Sequence, residues 1–193
     1  TGYFAASALA LAARGIAGLV RNDGRMRLIV GCTLEKPEVL AIEKGAALGE
    51  TVERFMLRAP LDDLDSGTQD ALELLAWMIA QNFLDVKVAV PCDRDRHPVA
   101  GTGLFHEKAG IIEDKTGERL AFSGSINETA HGWVHNWESF HVFTDWTGTK
   151  AHVDDEENTF ARLWADKSET ALVVDVPTAV RDRLLEFLPR DDR

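Results

Sequence analysis

Segments of helical periodicity alternate along this chain with short runs of β-branched and other apolar residues, and this alternation restricts the possible folds more than any other feature. Residues 3–7 are predicted to end a strand, and an alanine- and leucine-rich helix continues to about Val20. The Asn-Asp-Gly sequence at 22–24 then favours a turn into a strand at 26–30. A β-α-β beginning of this kind is typical of α/β proteins.

The remaining elements follow the same alternation. Helical spacing of apolar residues predicts helices at 38–56 and 68–82, and the glycines at positions 45 and 49 leave open whether the first is one helix or two shorter ones. The elements predicted beyond them are strands 86–90, 104–113, 119–126 and 138–145, helix 154–165, strand 171–176 and helix 177–188. The sequence therefore predicts an α/β fold in which a mixed β-sheet is flanked by helices on both faces.

The length and composition suit one compact domain. A chain of 193 residues can bury a core of its own, and 45% of its residues are hydrophobic, close to the globular average. We therefore expect residues 1–193 to form a single domain. Because the sequence begins at Thr1 rather than at a methionine, we also expect this domain to be part of a longer parent chain.

Cysteine use and hydropathy favour a cytoplasmic protein. Cys32 and Cys92 each end an apolar run without the close second cysteine that a zinc ribbon or redox motif requires, so we expect buried, reduced thiols. The apolar stretch at 3–20 is interrupted by Arg14 and is short for a bilayer, so it predicts a buried helix and no membrane partner. The net charge of −11 exerts no long-range attraction on nucleic acid. A polyanionic substrate would therefore need local cationic groups.

Two short polar patterns carry the candidate chemistry. His106 and Lys108 are one residue apart in a predicted strand, so their side chains share a face, and Ser125 and Asn127 repeat this spacing on the next strand. A phosphodiester presents two unesterified oxygens that need donors, which a lysine and an asparagine supply, while a histidine attacks phosphorus or protonates the leaving oxygen. The four residues together predict a phosphate site, although serine and asparagine are also common helix caps.

These residues resemble a known family. His106-Glu107-Lys108 followed by Gly124-Ser125-Ile126-Asn127 is similar to the HxK and GSxN halves of the phospholipase D superfamily. The resemblance implies a phospholipase D-like half-domain that works without a metal or other cofactor, through a phosphohistidine. Because family members need two such half-sites and this chain contains one, the resemblance also implies a homodimer with two facing His106 side chains.

The residues that follow the second motif half narrow the resemblance. The pattern Asn127-Glu128-Thr129, Gly132-Trp133 and Asn136-Trp137-Glu138 is similar to phospholipase D-like domains fused ahead of bacterial helicases, many of them associated with DNA restriction or defence. The resemblance thus implies a DNA-directed nuclease, with DNA or another nucleic acid as partner and a helicase domain in the same parent chain.

The family's acidic residue is replaced. Where the family usually has an aspartate five residues after the lysine, this chain has Glu113, with Asp114 next to it. A related branch of metal-independent endonucleases places a glutamate after the GSxN segment, and Glu138 resembles it. Glu138 is preferred as the residue that orients His106, because Glu113 is an odd number of residues from His106 and should leave a regular strand by the opposite face.

Several further residues have a functional and a structural interpretation. Arg94 and Arg96 could collect phosphates at the mouth of the site, although two aspartates alternate with them and reduce the field. Trp133 could stack on a base, although tryptophans near strands are more often in the core. His131 and His135 have zinc-ligand spacing with Glu138, but Gly132 weakens the helix that would align them, so no metal site is expected.

Two rival functions remain open at the level of the sequence. The same chemistry hydrolyses phospholipids, although no amphipathic membrane helix is evident. A catalytically silent dimerisation or strand-guiding module would keep the fold without the reaction.

Overall fold

A computed structural model describes residues 13–58, 66–101, 109–124 and 140–189. The helices in these ranges are α1 (Ala13–Arg21), α2 (Lys36–Glu43), α3 (Leu48–Met56), α4 (Ser66–Ala80), α5 (Lys150–Trp164) and α6 (Thr178–Leu185). The strands are β1 (Met26–Gly31), β2 (Leu84–Pro91), β3 (Ala109–Glu113), β4 (Arg119–Gly124), β5 (Phe140–Thr144) and β6 (Ala171–Asp175). The predicted α/β class is confirmed.

The first sheet is mixed and has the strand order β1-β2-β6. β1 and β2 run parallel, with Met26 opposite Leu84, and β6 runs antiparallel to β2, with Val174 opposite Val88. β2 is central, and residues 88–91 in its second half are all buried, which explains why that half of the strand is uninterruptedly apolar in sequence.

Helices cover both faces of the first sheet, as predicted. On one face, Leu28 of β1 and Leu84 of β2 pack with Ile16 of α1 and Met78 of α4. Farther along the same face, Val88 and Val90 pack against α2 and α3.

The opposite face of the first sheet is covered by α5. Ile29 of β1, Ala89 of β2 and Val173 of β6 form a buried cluster with Leu163 near the end of that helix. Alternate residues along each strand thus enter different cores.

The second sheet is antiparallel and has the order β3-β4-β5. The sequence predicted one mixed sheet, whereas the described strands form two sheets. The turn between β3 and β4 gives a physical reason for the separate second sheet. The Asp114 carboxylate accepts the backbone N–H of Thr116 in this turn, and Gly117 adopts a φ of +85°. The chain therefore reverses tightly, and β3 pairs with β4, its neighbour in sequence, as a hairpin. α5 packs against all three strands of this sheet and also against β6.

Element boundaries agree with the sequence at several points and shift at others. The predicted helix 38–56 is two helices, because Gly45, with a φ of +100°, ends α2 in a turn. α5 begins at Lys150, four residues before the predicted start, after the turn at 145–149. Of the described helices, none has both the length and the apolar character needed to span a membrane.

Candidate functional site

The predicted catalytic residues fall in two segments next to the second sheet. His106, Lys108, Ser125, Asn127 and Glu138, together with Trp133, lie outside the described residues. The strand ends to which these segments are joined are described. Lys108 directly precedes β3, Ser125 directly follows β4, and Glu138 is two residues ahead of β5.

The register of the second sheet brings these three strand ends together. Ala109 pairs with Ser123, and Gly124 pairs with Phe140. Paired residues of antiparallel strands have Cα atoms about 4.5–5.5 Å apart. The HxK segment, the GSxN segment and the segment with Glu138 therefore all join the sheet at one end, termed the site end and defined by Ala109, Gly124 and Phe140.

The two faces of the second sheet differ. Ala109 and Ile111 face α5, where they line a small cavity with Phe160 and Leu163. Ile112, on the alternate face, is 59% exposed. The register from β3 to β4 is one-to-one over the whole of Ala109–Glu113, so this part of the strand contains no bulge.

This alternation bears on how the two motif halves could meet. If β3 continued regularly before Ala109, His106 and Lys108 would share the exposed face of Ile112, whereas Ser125 in a regular continuation of β4 would take the other face. β4 ends at Gly124. The convergence expected from the sequence therefore requires the chain to leave the regular ladder at that residue.

Glu113 and Asp114 lie away from the site end. Glu113 pairs with Arg119 at the far end of β3, four residues or about 13 Å from Ala109, and it alternates with Ile112. Asp114 Oδ1 accepts hydrogen bonds from the backbone N–H and the hydroxyl of Thr116, both at 2.8 Å, which lower the pKa of Asp114. The Asp114 carboxylate therefore closes the hairpin turn.

The far end of the second sheet is held to α5 by an ion-pair cluster that the sequence did not reveal. Arg119 contacts Asp145 at 3.0 Å, Asp154 at 2.7 Å and also Glu157. These bonds raise the pKa of Arg119. Hydrogen bonds with Arg119 lower the pKa of Asp145. Hydrogen bonds with Lys150, and after it with Arg119, lower the pKa of Asp154. The cluster fixes α5 across β4 and β5.

The loop after β2 contains the two predicted phosphate-collecting arginines. Arg96 donates to Asp166 Oδ1 at 2.7 Å and to the Ser168 carbonyl at 2.5 Å, which ties this loop to the turn before β6. Arg94 is exposed. Arg96 is thus committed to a structural contact, and only Arg94 of the pair presents its side chain mainly to solvent.

The same loop contains three exposed potential metal ligands. Donor atoms of Asp93, Asp95 and His97 lie within 4.8 Å of one another. Asp93 Oδ1 also accepts the backbone N–H groups of Asp95 and His97, at 3.0 and 2.9 Å. These hydrogen bonds within the loop turn explain why the three side chains lie close together.

Two ionisable side chains are buried near the end of β1: Cys32, directly after the strand, and Glu38, in the first turn of α2. The Cys32 thiol is buried, and burial together with the charge of Glu38 raises its pKa to about 11. Glu38 Oε1 accepts a hydrogen bond from Arg58 at 2.6 Å, which lowers the pKa of Glu38. Burial also raises the pKa of Cys92. Both cysteines are free, as predicted, and neither has the lowered pKa of a nucleophilic thiol.

A second group of functional interest lies on the face of the first sheet that α5 covers. Arg27 and Lys87 both lie over the Trp164 ring, and Arg27 also lies over Phe160. The two aromatic residues are spaced i, i+4 on α5, and this spacing was the one feature of the sequence that indicated a shared aromatic surface on the helix. The strand pairing needed to bring both cations to them was not evident from the sequence.

Comparisons with known proteins gave no match to a family model, a curated protein or a solved structure.

Proposed function

We propose that this protein is a metal-independent phosphodiesterase that cleaves DNA through a phosphohistidine at His106. The observation that carries the proposal is the register of the second sheet, since Ala109, which follows Lys108, and Gly124, the first residue of the GSxN half, lie at one end of adjacent strands. A hairpin between the two motifs supports the proposal, because the phospholipase D resemblance implies that the HxK and GSxN halves meet. The proposed fold is accordingly a phospholipase D-like half-domain.

The proposed reaction has two displacements. A ring nitrogen of His106 attacks phosphorus, the bond from phosphorus to the leaving oxygen breaks, and a second histidine gives that oxygen a proton. Lys108 and Asn127 donate to the two unesterified oxygens, and Ser125 adds a hydroxyl donor. Water then attacks phosphorus, which releases His106 and returns a proton to the second histidine. Glu138 accepts from the other ring nitrogen of His106 and fixes its tautomer.

The second histidine belongs to a partner copy in this proposal. Ile112 and Val142 are 59% and 49% exposed, and both lie on the face of the second sheet that points away from α5. Each copy carries a net charge of −11, so an interface between two copies is favoured where charged side chains are few. We propose that this face meets its twofold mate and brings the two site ends together.

The wider setting is also proposed. We propose that a helicase domain lies in the same parent chain, which the resemblance to helicase-fused domains supports, and that the protein works in the cytoplasm, which the free Cys32 and Cys92 thiols suit.

The chemistry is tested by hydrolysis of bis-p-nitrophenyl phosphate and of single-stranded DNA in excess chelator. We expect both to persist, because no step needs a metal, and we expect His106→Asn to remove them. His97→Asn is the matched control, since His97 is 72% exposed in the loop after β2. If chelator stops hydrolysis, the metal-independent mechanism is wrong. If neither substrate is touched, the silent-module function replaces it, and hydrolysis of phosphatidylcholine alone would indicate a lipase.

The dimer is tested by light scattering of Val142→Lys. We expect this variant to be monomeric and inactive at micromolar concentration, while Leu40→Lys, which replaces a 50% exposed leucine on α2, stays dimeric. A monomeric protein that turns over substrate at the wild-type rate would contradict the requirement for a partner histidine.

A further inference from the structure

One cation of this acidic chain is held in place by aromatic rings rather than by a carboxylate. The Arg27 guanidinium carbon lies 5.2 Å from the ring centroid of Phe160 and 5.5 Å from that of Trp164. Arg27 itself is exposed on β1, an edge strand of the first sheet. Contact with two rings limits the rotamers of the side chain, and a cation–π contact uses none of the five N–H donors of the guanidinium.

Arg27 and its neighbour Lys87 differ in whether a carboxylate pairs with their charge. Lys87 Nζ lies 5.1 Å from the centroid of Trp164, but it also pairs with Asp175 at 3.3 Å and donates to the Trp164 carbonyl at 3.2 Å. Within the described ranges no carboxylate lies within ion-pairing distance of Arg27, although Asp85 is its register partner on β2. The donors of Arg27 therefore remain available to an anionic ligand.

The position of Arg27 connects it with the site end. Phe160, under the guanidinium, also lines the small cavity that contains Ala109 and Ile111 of β3. Ala109 is the residue after Lys108 in the chain. Phe160 thus contacts the Arg27 guanidinium and also lines the same cavity as Ala109, the first residue of the strand that follows the HxK segment.

We propose that Arg27 binds a backbone phosphate of single-stranded DNA, next to the phosphodiester held at the site end. This inference rests on the proposed function. The guanidinium offers two parallel donors to a phosphate. The net charge of −11 makes such a fixed local cation necessary, because the molecule as a whole repels a polyanion.

Fluorescence anisotropy with a labelled single-stranded oligonucleotide tests this site, with each variant made in a His106→Gln background so that the DNA is not consumed. Arg27→Gln should weaken binding about three- to tenfold at low salt and reduce the slope of log affinity against log salt by about 0.7. Arg27→Lys should keep the salt slope, because it keeps the charge. Asp85→Asn should tighten binding, since it removes the facing carboxylate. Arg181→Gln, at an exposed position of α6, is the matched control.

The proposal is overturned if Arg27→Gln, folded by circular dichroism, binds with the affinity and salt slope of its parent, or if Arg181→Gln loses as much. Hydrolysis of bis-p-nitrophenyl phosphate by the wild-type protein measures the proposed chemistry separately, since this small substrate has no second phosphate. Turnover of that substrate with no effect of Arg27→Gln on DNA binding would reject the phosphate site alone. An effect on binding without turnover would support the phosphate site and reject the proposed catalysis.

Discussion

Val153→Ala tests whether α5 is the element that braces the second sheet. Val153 is fully buried near the start of that helix, which packs against β3, β4 and β5. Removing two methyl groups loses about 1.6 kcal/mol of transfer free energy, and the cavity left behind adds about 1 kcal/mol. The better helix propensity of alanine returns about 0.5 kcal/mol. We therefore expect the free energy of unfolding to fall by about 2 kcal/mol, which lowers the Tm by roughly 4–8 °C in a chain of this length.

Urea unfolding followed by circular dichroism measures this change, with the m-value expected to stay constant. Asn158→Gln is the matched control, because Asn158 is on the exposed side of the same helix and should change the free energy by less than about 0.5 kcal/mol. A loss below 0.5 kcal/mol for Val153→Ala, or an equal loss in both variants, would refute the packing that we assign to α5.

Three further outcomes are expected. Cys32, with a pKa raised to about 11 by burial and by a nearby carboxylate, should react with Ellman's reagent at pH 8 only as the protein unfolds, and prompt labelling of the native protein would contradict its burial. Asp145 and Asp154, both paired with Arg119, have lowered pKa values, so the unfolded chain binds more protons and stability should fall as the pH drops below about 5. Arg119→Met should flatten this decline in urea titrations, and an unchanged pH slope would show that the cluster contributes nothing. In single-turnover cleavage, Glu138→Gln should be inactive and Glu113→Gln active, and the reverse result, with both variants folded and dimeric, would show that the assignment of the orienting acid is wrong.

Local patterns predicted the individual elements well because their causes lie within a few residues. The apolar spacing along α4 and the β-branched run in β1 predicted both elements to within two residues at either end. Gly45 and Gly49 were the reasons to consider two helices in place of one. Gly45, with its positive φ just after α2, separates the two helices, whereas Gly49 lies within α3.

The grouping of strands into two sheets could not be read from the same patterns. A half-buried strand has the same alternation whichever neighbour it pairs with. The hairpin between β3 and β4 follows from the turn at Asp114 and Gly117, but the position of α5 against both sheets depends on contacts between distant residues. Arg119 reaches Asp154 and Glu157 on α5, 35 and 38 residues later in the chain.

The candidate site was predicted from the sequence in part. The motif halves fell next to adjacent strand ends, as a hairpin arrangement requires, whereas the roles of the basic residues depended on tertiary contacts. Alternating charges around Arg96 gave no sign of its bond to Asp166. No local pattern in the sequence marks Arg27 as functional, because its aromatic partners on α5 are more than 130 positions away.

A covalent adduct on His106 is the most direct test of the central claim. The wild-type protein is mixed with excess bis-p-nitrophenyl phosphate in the presence of chelator, quenched by rapid denaturation, and its peptides are analysed by mass spectrometry. We expect a p-nitrophenyl phosphoryl group on His106, formed at the rate of the first p-nitrophenol release and absent from His106→Asn. Turnover at the wild-type rate by His106→Asn, or an adduct found only on another residue, would contradict the proposed phosphohistidine mechanism.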